Sequence, residues 1–347
     1  MNLNPKQERI ILDVAYQPQV RTEVNTQRIM LDVLIALLPA MVVAVYQFGT
    51  HALLVMATSV TSAVFFEWAY RKLTKKTVSI DDLSACVTGL LLALTMPANC
   101  PAWIPVVGTF FAIVVVKQLY GGIGKNFINP ALAARAFLLA SYSTALSGSY
   151  LVPRGLKNAV DAVTMATPLS VLYGEGSMPG IYTIKSMFLG NMPGALGEIS
   201  ALALLAGGVY LICRKVITWH IPVSFLGTVF LLSLIFGGGG HLGKGEYALY
   251  ALLSGGLMLS SIFMATDYAT SPVTFKGQLL YGFGCGVLTV LIRKFGSYPE
   301  GATYAILIMN LCAWAIDKGF RRHQFGVTKE DIEAQKAAKK AAKEAAK

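Results

Sequence analysis

The chain alternates between long apolar stretches and short polar segments, and this pattern predicts membrane helices. A helix rises about 1.5 Å per residue, so about 20 apolar residues cross the hydrocarbon core of a bilayer. The candidate spans are 28–48, 52–70, 83–96, 103–119, 130–143, 198–213, 217–236, 247–265, 277–292 and 302–316. The third, fifth, eighth and tenth are short or interrupted, which is tolerated only inside a protein bundle or beside a cavity. We predict an all-α polytopic membrane protein with about ten transmembrane helices.

One long polar segment divides the ten stretches into two groups of five. Because five is odd, the second group enters the membrane inverted relative to the first, as in transporters built from inverted repeats. A weak internal similarity agrees with this plan, because tracts 89–98 and 256–266 both run from Gly-Leu to a methionine. The predicted order is a cytoplasmic N-terminal segment, a first half, an outer loop, a second half and a basic tail, at 1–27, 28–143, 144–197, 198–316 and 317–347.

The composition excludes a water-soluble globular protein. Hydrophobic residues make up 55% of the chain and charged residues 14%, which leaves too little polar surface to cover a globule. The five cysteines and four histidines stand apart from one another, without the spacings of zinc or iron–sulfur ligands. We therefore expect no metal centre in this chain.

The net charge of +11 is distributed as a topology signal. With the N-terminus in the cytoplasm, 22 Lys and Arg residues fall in inside segments and 6 in outside segments. Cytoplasmic segments carry such an excess of basic residues in membrane proteins. The bias predicts that both termini are cytoplasmic and that the loop 144–197 lies on the outer side. The basic residues are scattered between apolar runs, so they do not indicate a nucleic-acid surface.

The outer loop contains four spaced residues of interest, Asp161, Thr164, Ala166 and Thr167. This tract resembles the D-x-x-[ST]-x-A-T sequence to which bacterial flavin transferases attach FMN through a phosphoester on the last threonine. In this chain that threonine is Thr167. The alternative is an ordinary loop, rich in Asp and Thr, that caps a helix.

Two glycine-rich tracts lead into apolar stretches, 120–130 before the fifth and 190–198 before the sixth. Helix N-termini present free N–H groups that favour anions, so the phosphate of a flavin on Thr167 could dock against Gly194 and Gly197. The alternative for both tracts is a tight turn that uses the conformational freedom of glycine. We favour the turn for the first tract, and both interpretations stay open for the second.

Five acidic residues lie within or near the apolar stretches: Asp32, Glu67, Glu198, Asp267 and Asp317. Ionisable groups at membrane depth are candidates for ion transport. Asp267 stands among hydroxyl-bearing residues at the end of the eighth stretch, so we place it on a candidate ion pathway. Because most of these acids are near helix ends, anchoring at the membrane surface is the expected role for each one alone.

Residues 24–326 as a whole resemble the D subunits of Rnf complexes and, more distantly, the B subunits of sodium-pumping NADH:quinone oxidoreductases. The resemblance rests on the tracts 29–33, 36–40, 121–130, 161–169, 194–200, 264–267, 299–301 and 309–310. Met165 departs from the pattern, because many members have glycine there. The acceptor threonine and the alanine before it are in place.

This resemblance implies a function. Rnf complexes pass electrons between reduced ferredoxin and NAD⁺ and couple this to Na⁺ or H⁺ movement across the bacterial cytoplasmic (inner) membrane. Their D subunit carries covalent FMN, which implies that a flavin transferase modifies Thr167, and a second, unattached riboflavin is a family feature. The implied partners are the other membrane, iron–sulfur and flavin subunits of the complex. Such a chain is a non-autonomous subunit of a redox-driven ion translocase and turns over nothing by itself.

Two other functions stay open from the sequence alone. Inverted five-helix halves also build small-solute channels and transporters, which would carry no flavin. A purely structural membrane scaffold would show neither flavin nor solute flux. Covalent flavin fluorescence that depends on Thr167 distinguishes the Rnf-type subunit from both.

Overall fold

The computed structural model describes residues 25–77, 79–147, 150–156, 164–174, 180–237, 242–296 and 300–320. The N-terminal segment before residue 25 and the basic tail after residue 320 lie outside the described residues. Within those ranges the chain is mostly helical, with one two-stranded sheet.

The helices and strands fall into three groups along the chain. The first group is α1 Thr26–Phe48, α2 Thr50–Leu73, α3 Ser84–Leu94, α4 Trp103–Phe110 with its π-helical continuation Phe111–Gln118, and α5 Pro130–Ser141. The segment that we predict to lie outside, called the outer segment below, holds α6 Ser143–Ser147, β1 Tyr150–Leu151, β2 Thr164–Met165, α7 Pro168–Gly174 and α8 Ile184–Leu189. The last group is α9 Ala201–Cys213, α10 His220–Phe236, α11 Lys244–Leu253, α12 Leu257–Leu259 with its π-helical continuation Ser260–Met264, α13 Phe275–Phe295 and α14 Ala302–Gly319.

Side-chain caps explain where several helices begin. Asn25 accepts the Arg28 backbone N–H at 2.9 Å before α1, as an N-cap asparagine does. Asn129 accepts the N–H groups of Ala131 and Leu132 at 3.0 and 3.3 Å. Proline follows at the first position of α5, where its missing N–H costs nothing. The predicted start of the fifth helix at residue 130 is confirmed.

Helix length varies more than the sequence predicts. The helices α1, α2 and α13 are long and apolar enough to cross a membrane, and α11 with α12, bent by 66°, makes a fourth if it counts as one broken span. The helices α3, α4 with its π-helical part, α5, α9 and α10 are apolar but shorter. The tenth stretch is not interrupted, because α14 is continuous over 18 residues. Each predicted stretch contains a helix, and the count of ten spans stays a prediction.

The two predicted halves share one hydrophobic core, which runs from Leu37 in α1 to Ile306 in α14. Helix α1 packs against α9, and α5 packs against α14, so elements before and after the outer segment interlock. Tyr210 of α9 and Arg214, the residue after α9, also donate to Asp32 of α1, at 2.9 and 3.2 Å. The halves therefore form one body within the described residues.

The outer segment is attached at the end of α1 that lies far from Thr26. Gln47, in the last turn of α1, donates to the Asn191 side chain at 2.6 Å and accepts the Gly155 backbone N–H at 3.3 Å. The short strands β1 and β2 pair antiparallel, with Tyr150 opposite Met165. The predicted flavin tract therefore lies at one end of the helices, and the start of α1 at the other.

Two of the basic residues counted for topology are buried inside the described part of the fold. Lys117 and Arg293 are each only 3% exposed and make hydrogen bonds inside the protein. Arg135 is buried as well. These residues are structural rather than topological, and removing them leaves the inside excess of basic residues intact.

Candidate functional site

The outer tract, residues 164–170, presents Thr167 as the cap of helix α7. Thr167 Oγ1 accepts the Ser170 backbone N–H at 3.3 Å and lies 3.2 Å from Ser170 Oγ. Thr164 and Ala166 are exposed and Thr167 is half-buried. Asp161, the first residue of the predicted attachment motif, lies outside the described residues. Helix capping and flavin attachment are compatible roles, because the capping hydroxyl remains at the surface.

Tyr182 holds the outer tract from the protein side. Its buried phenol donates a hydrogen bond of 2.8 Å to the Ala166 carbonyl, next to the predicted acceptor residue. Burial raises the pKa of Tyr182, so the phenol stays protonated and keeps donating. The tract is therefore anchored on the side that faces the rest of the protein, while its other side is accessible.

A second threonine in the outer segment has nearly the same surroundings as Thr167. Thr183 caps α8 in a T-x-x-S sequence, as Thr167 caps α7, and its Oγ1 accepts the Ser186 N–H at 3.2 Å. Thr183 has no D-x-x-T-x-A residues before it. Thr183 is therefore an internal control, because it caps a helix in the same way without the residues of the predicted attachment motif.

The outer tract rests on the break between α11 and α12. Leu169 is buried, and its side chain occupies the space where a Cβ on Gly255 would lie. Gly255 and Gly256 have φ of +75° and +59°, the left-handed region that glycine adopts without strain. The interruption predicted in the eighth stretch is confirmed, and it lies directly beneath the predicted flavin site.

The charged side chains around this break form a group that we call the helix-break cluster, Glu198, Arg293, Arg135 and Glu300. Glu198 accepts backbone N–H groups from Gly255 and, at 3.3 Å, from Ala195. Arg293 donates to the carbonyls of Ala251, Ser254 and Gly255 at 2.6, 3.0 and 3.2 Å. The Glu198 carboxylate therefore accepts a free N–H group just before α12, and the Arg293 guanidinium donates to free carbonyl groups at the end of α11.

The same break region joins the two halves of the chain through an ion pair. Arg135 of α5 binds Glu300 at the start of α14 through two nitrogens, with Nε 3.1 Å from the carboxylate. These side chains, with Glu198 and Thr95, line a cavity of about 20 Å³, which is enough for a single water molecule. Most of the polar groups here are satisfied by one another.

The predicted phosphate-docking glycines belong to this packed interior. Gly197 donates to the Leu94 carbonyl at 2.7 Å, and a Cβ on it would lie 2.8 Å from the Leu94 Cβ. Gly194 packs against Glu198. Both glycines are buried, and no described contact joins either of them to Thr167. Their close approach explains why they are glycines, and phosphate docking there stays a prediction.

A larger cavity, of about 360 Å³, opens at the other end of the helices, where α1 and α5 begin and α12 ends. Its walls are mostly apolar, with polar side chains at Ser84, Thr88, Lys117, Asn126, Asn129 and Asp267. The π-helical segments of α4 and α12 contribute Lys117 and Phe263. Such segments are frequent at functional sites. Asn129 joins the two halves at the cavity by donating to the Met264 carbonyl at 3.2 Å.

Lys117 at the cavity wall is part of a buried ion pair. Its Nζ donates to Glu67 at 2.7 Å and to Ser84 Oγ at 2.6 Å, and Gln118 donates to the other Glu67 oxygen at 2.9 Å. Glu67 is fully buried, at 0% exposure, and Glu198 is at 5%. The expectation that these two acids anchor the protein at the membrane surface is therefore wrong, because Glu67 is ion-paired and Glu198 is hydrogen-bonded inside the fold.

Asp267, the predicted ion-pathway residue, lies at the cavity edge. Its carboxylate accepts the Thr270 hydroxyl at 3.0 Å, and burial raises its pKa above the ordinary value.

Sequence reasoning missed the ion pair of Arg135 and Glu300 that joins the two halves. The signal was present, since Arg135 is a basic residue within an apolar stretch and Glu300 belongs to one of the family tracts.

Known proteins resemble this chain over nearly its whole length. Residues 13–326 match the NQR2, RnfD, RnfE family. The D subunit of the Na(+)-translocating ferredoxin:NAD(+) oxidoreductase complex of Acetobacterium woodii is 47% identical, covering 93% of this chain and 98% of that protein. The proton-translocating counterpart of Clostridium ljungdahlii is 41% identical, with coverages of 91% and 96%. The D subunit of the ion-translocating oxidoreductase complex of Shewanella amazonensis is 35% identical, with coverages of 90% and 97%. The chain therefore belongs to the NQR2, RnfD, RnfE family, in which it is similar to D subunits of ion-translocating oxidoreductase complexes.

Proposed function

We propose that this chain is the flavin-carrying membrane subunit of an ion-translocating ferredoxin:NAD⁺ oxidoreductase complex. In this proposal FMN is esterified through its phosphate to Thr167, and electrons pass through the subunit while Na⁺ or H⁺ crosses the membrane. The single observation that carries the proposal is the position of Thr167, at an accessible helix cap in an attachment tract, within a chain of this family.

The described residues of the outer tract fit the attachment. A transferase needs an exposed peptide edge and a hydroxyl it can reach, and Thr164 and Ala166 provide that edge. Tyr182 keeps the tract fixed to the protein from behind. The phosphate end would be the tethered end, so the isoalloxazine ring stays free of the covalent bond. When bound, FMN supplies the electron-transfer chemistry, and the protein supplies its position.

We place the second, unattached riboflavin in the cavity at the start of α1 and α5. Ligand pockets for small molecules have volumes of several hundred Å³, mostly apolar walls and a few placed polar groups. This cavity has about 360 Å³ and such walls. The amides of Asn126 and Asn129 are polar groups of the kind that a flavin ring pairs with, and the ammonium group of Lys117 is held at the wall by Glu67.

The coupled ion is Na⁺ or H⁺ in this proposal, because the two relatives with the highest identities above carry different ions in their names. Asp267 is the residue of this chain that we assign to the ion pathway. It is a half-buried carboxylate at the cavity edge, near the polar groups that we assign to the second flavin. Movement of a cation past this carboxylate would be sensitive to charge on that flavin through electrostatic interaction.

The proposal includes a location and partners. The subunit lies in the bacterial cytoplasmic membrane with both termini inside and Thr167 on the outer side. The excess of basic residues in the inside segments supports this orientation. The other membrane, iron–sulfur and flavin subunits of the complex supply and accept the electrons, and a flavin transferase matures the chain. The subunit alone catalyses no net reaction.

The attachment is tested by gel electrophoresis of denatured protein produced in a host with an active flavin transferase. We expect a fluorescent band from the wild-type chain, none from Thr167→Ala, and an unchanged band from Thr183→Ala, which removes the equivalent cap of α8. A nonfluorescent wild-type chain would refute covalent FMN. Solute flux through liposomes that contain that nonfluorescent chain would then favour the channel function.

A further inference from the structure

Ser170 contacts the acceptor hydroxyl of Thr167 in two ways. The Ser170 hydroxyl donates its one hydrogen to the Thr167 carbonyl at 2.8 Å. In the contact of 3.2 Å between the two side-chain oxygens, Thr167 Oγ1 must therefore be the donor. The Ser170 backbone N–H also donates to Thr167 Oγ1 at 3.3 Å. Ser170 thus receives the hydroxyl hydrogen of Thr167 and occupies one of its two lone pairs.

The equivalent serine near Thr183 makes a different set of bonds. Ser186 Oγ donates to the Thr183 carbonyl at 2.8 Å, as Ser170 does to Thr167. It accepts from the Thr183 backbone N–H at 3.0 Å, and none of the described hydrogen bonds runs from the Thr183 hydroxyl to Ser186. Two identical T-x-x-S sequences therefore cap two helices, and only the one in the attachment tract fixes the direction of the threonine O–H bond.

We propose that Ser170 is a positioning residue for flavin attachment to Thr167, an inference that rests on the function proposed above. The Thr167 oxygen forms a bond to the FMN phosphorus of FAD, and the bond from that phosphorus to the AMP oxygen breaks. AMP leaves with the electron pair, and the hydroxyl proton passes out of its hydrogen bond to Ser170 Oγ onto a base of the transferase. No electron is transferred and no other reactant is consumed.

Orientation is what Ser170 contributes to this step. With the hydroxyl hydrogen directed to Ser170 Oγ and one lone pair taken by the Ser170 N–H, a single lone pair of Thr167 Oγ1 remains for attack on phosphorus. A nucleophile held in one orientation reacts faster than one that rotates freely. Ser170 is exposed, so the transferase can approach the oxygen from the solvent side.

The test compares Ser170→Thr with Ser170→Val. The two new side chains have the same shape and differ at one position, which is a hydroxyl in threonine and a methyl in valine. The purified full-length chain in detergent is incubated with a purified flavin transferase, FAD and Mg²⁺, and the fluorescent band is followed in time. For Ser170→Val we expect a maximal attachment rate about tenfold lower than wild type, a change of about 1.4 kcal/mol, with an unchanged KM for FAD. Ser170→Thr restores the rate, and Ser186→Val, at the control serine, leaves it unchanged.

Each other result overturns a specific statement. Equal rates for Ser170→Thr and Ser170→Val, whether both normal or both slow, overturn the role of the hydroxyl, since any disturbance of folding by a branched side chain is common to the two. An equally slow attachment rate in Ser186→Val would show that the effect comes from losing any helix cap in this segment. Absence of labelling in the wild-type chain overturns the proposed function itself.

Discussion

The helix-break cluster and the outer tract use polar side chains in opposite ways. In the cluster, Glu198 and Arg293 complete the hydrogen bonds of two broken helix ends, and Arg135 pairs with Glu300. In the outer tract, the Thr167 hydroxyl is at the surface with hydrogen-bonding capacity to spare. The two regions touch through Leu169 and Gly255.

This difference separates residues that stabilise the fold from residues to which we assign flavin attachment. A buried charge is costly unless it is paired, so the cluster is expected to stabilise the fold only while it is complete. Outside its buried Pro168 and Leu169, the outer tract is exposed or half-buried, so changes at Thr167 and Ser170 should alter modification without unfolding the protein. Each prediction below asks whether a substitution affects stability or flavin content, and the distinction fails if the two change together.

The largest expected effect is the loss of stability on breaking the ion pair between the halves. Arg135→Leu leaves Glu300 partly buried without its partner and close to Glu198. We expect a loss of about 3–5 kcal/mol, the usual result of removing one member of a buried pair. Thermal unfolding in detergent measures it. Adding Glu300→Leu should recover much of the loss, and the protein that folds should still carry covalent FMN. A single variant as stable as wild type would show that the pair is not structural.

The next effect distinguishes the two glycines of the helix break. Both have positive φ, so alanine at either costs about 1–2 kcal/mol in backbone strain. At Gly255 the new Cβ would also collide with Leu169 and lie 2.8 Å from Arg293, whereas at Gly256 nothing lies within 4 Å. Gly255→Ala should therefore lose about 1–3 kcal/mol more than Gly256→Ala, as overpacked sites do. Equal melting temperatures for the two variants would contradict the contact between the outer tract and the break.

A third prediction concerns the cavity and its proposed riboflavin. Val87 is buried and lines the cavity, so Val87→Trp fills space that a ligand would need. We expect extractable riboflavin to fall about tenfold, equivalent to about 1.4 kcal/mol of binding, with covalent FMN unchanged. Chromatography of the acid extract measures the first and gel fluorescence the second. Val223→Trp, on the exposed side of α10, is the control and should retain riboflavin. Full retention of riboflavin in Val87→Trp would show that the second flavin does not bind in this cavity.

The smallest effect is the pH dependence of stability at Asp267. Burial raises the pKa of this carboxyl in the folded state, so the folded chain binds the proton more tightly than the unfolded chain. Stability from this group is therefore present below the unfolded pKa, about 4, and is lost as pH rises through the folded value. Asp267→Asn should raise the melting temperature at about pH 8 by about 2–4 °C, and less at about pH 5. Asp81→Asn, at an exposed carboxyl, is the control. A gain in melting temperature from Asp267→Asn that grows toward low pH would contradict the raised pKa of Asp267.

Local rules predicted the helices well because their causes are local. The Asn129-Pro130 start of α5 depends on a side chain that reaches the next two N–H groups, and the sequence shows it directly. The break in the eighth stretch is visible as Ser254-Gly255-Gly256 within an apolar run. The tract ending at Thr167 is equally visible because its residues are contiguous in sequence, and its role in flavin attachment stays a prediction.

Long-range pairing could not be predicted in the same way. Arg135 and Glu300 are 165 residues apart, and Lys117 and Glu67 are 50 apart, so no periodicity connects them. Glu198 is adjacent to a helix start in sequence, yet in the fold it belongs to a break in another helix. Gly194 and Gly197 suggested an anion site because glycine permits both ligand approach and close packing, and only the neighbours distinguish these roles.

The central claim is tested most directly by mass spectrometry of the peptide that contains Thr167, from protein produced together with an active flavin transferase. The account predicts a mass increase equal to FMN less one water, located on Thr167 by fragmentation, with the peptide that contains Thr183 unmodified. An unmodified Thr167 in protein from such a host would contradict the account.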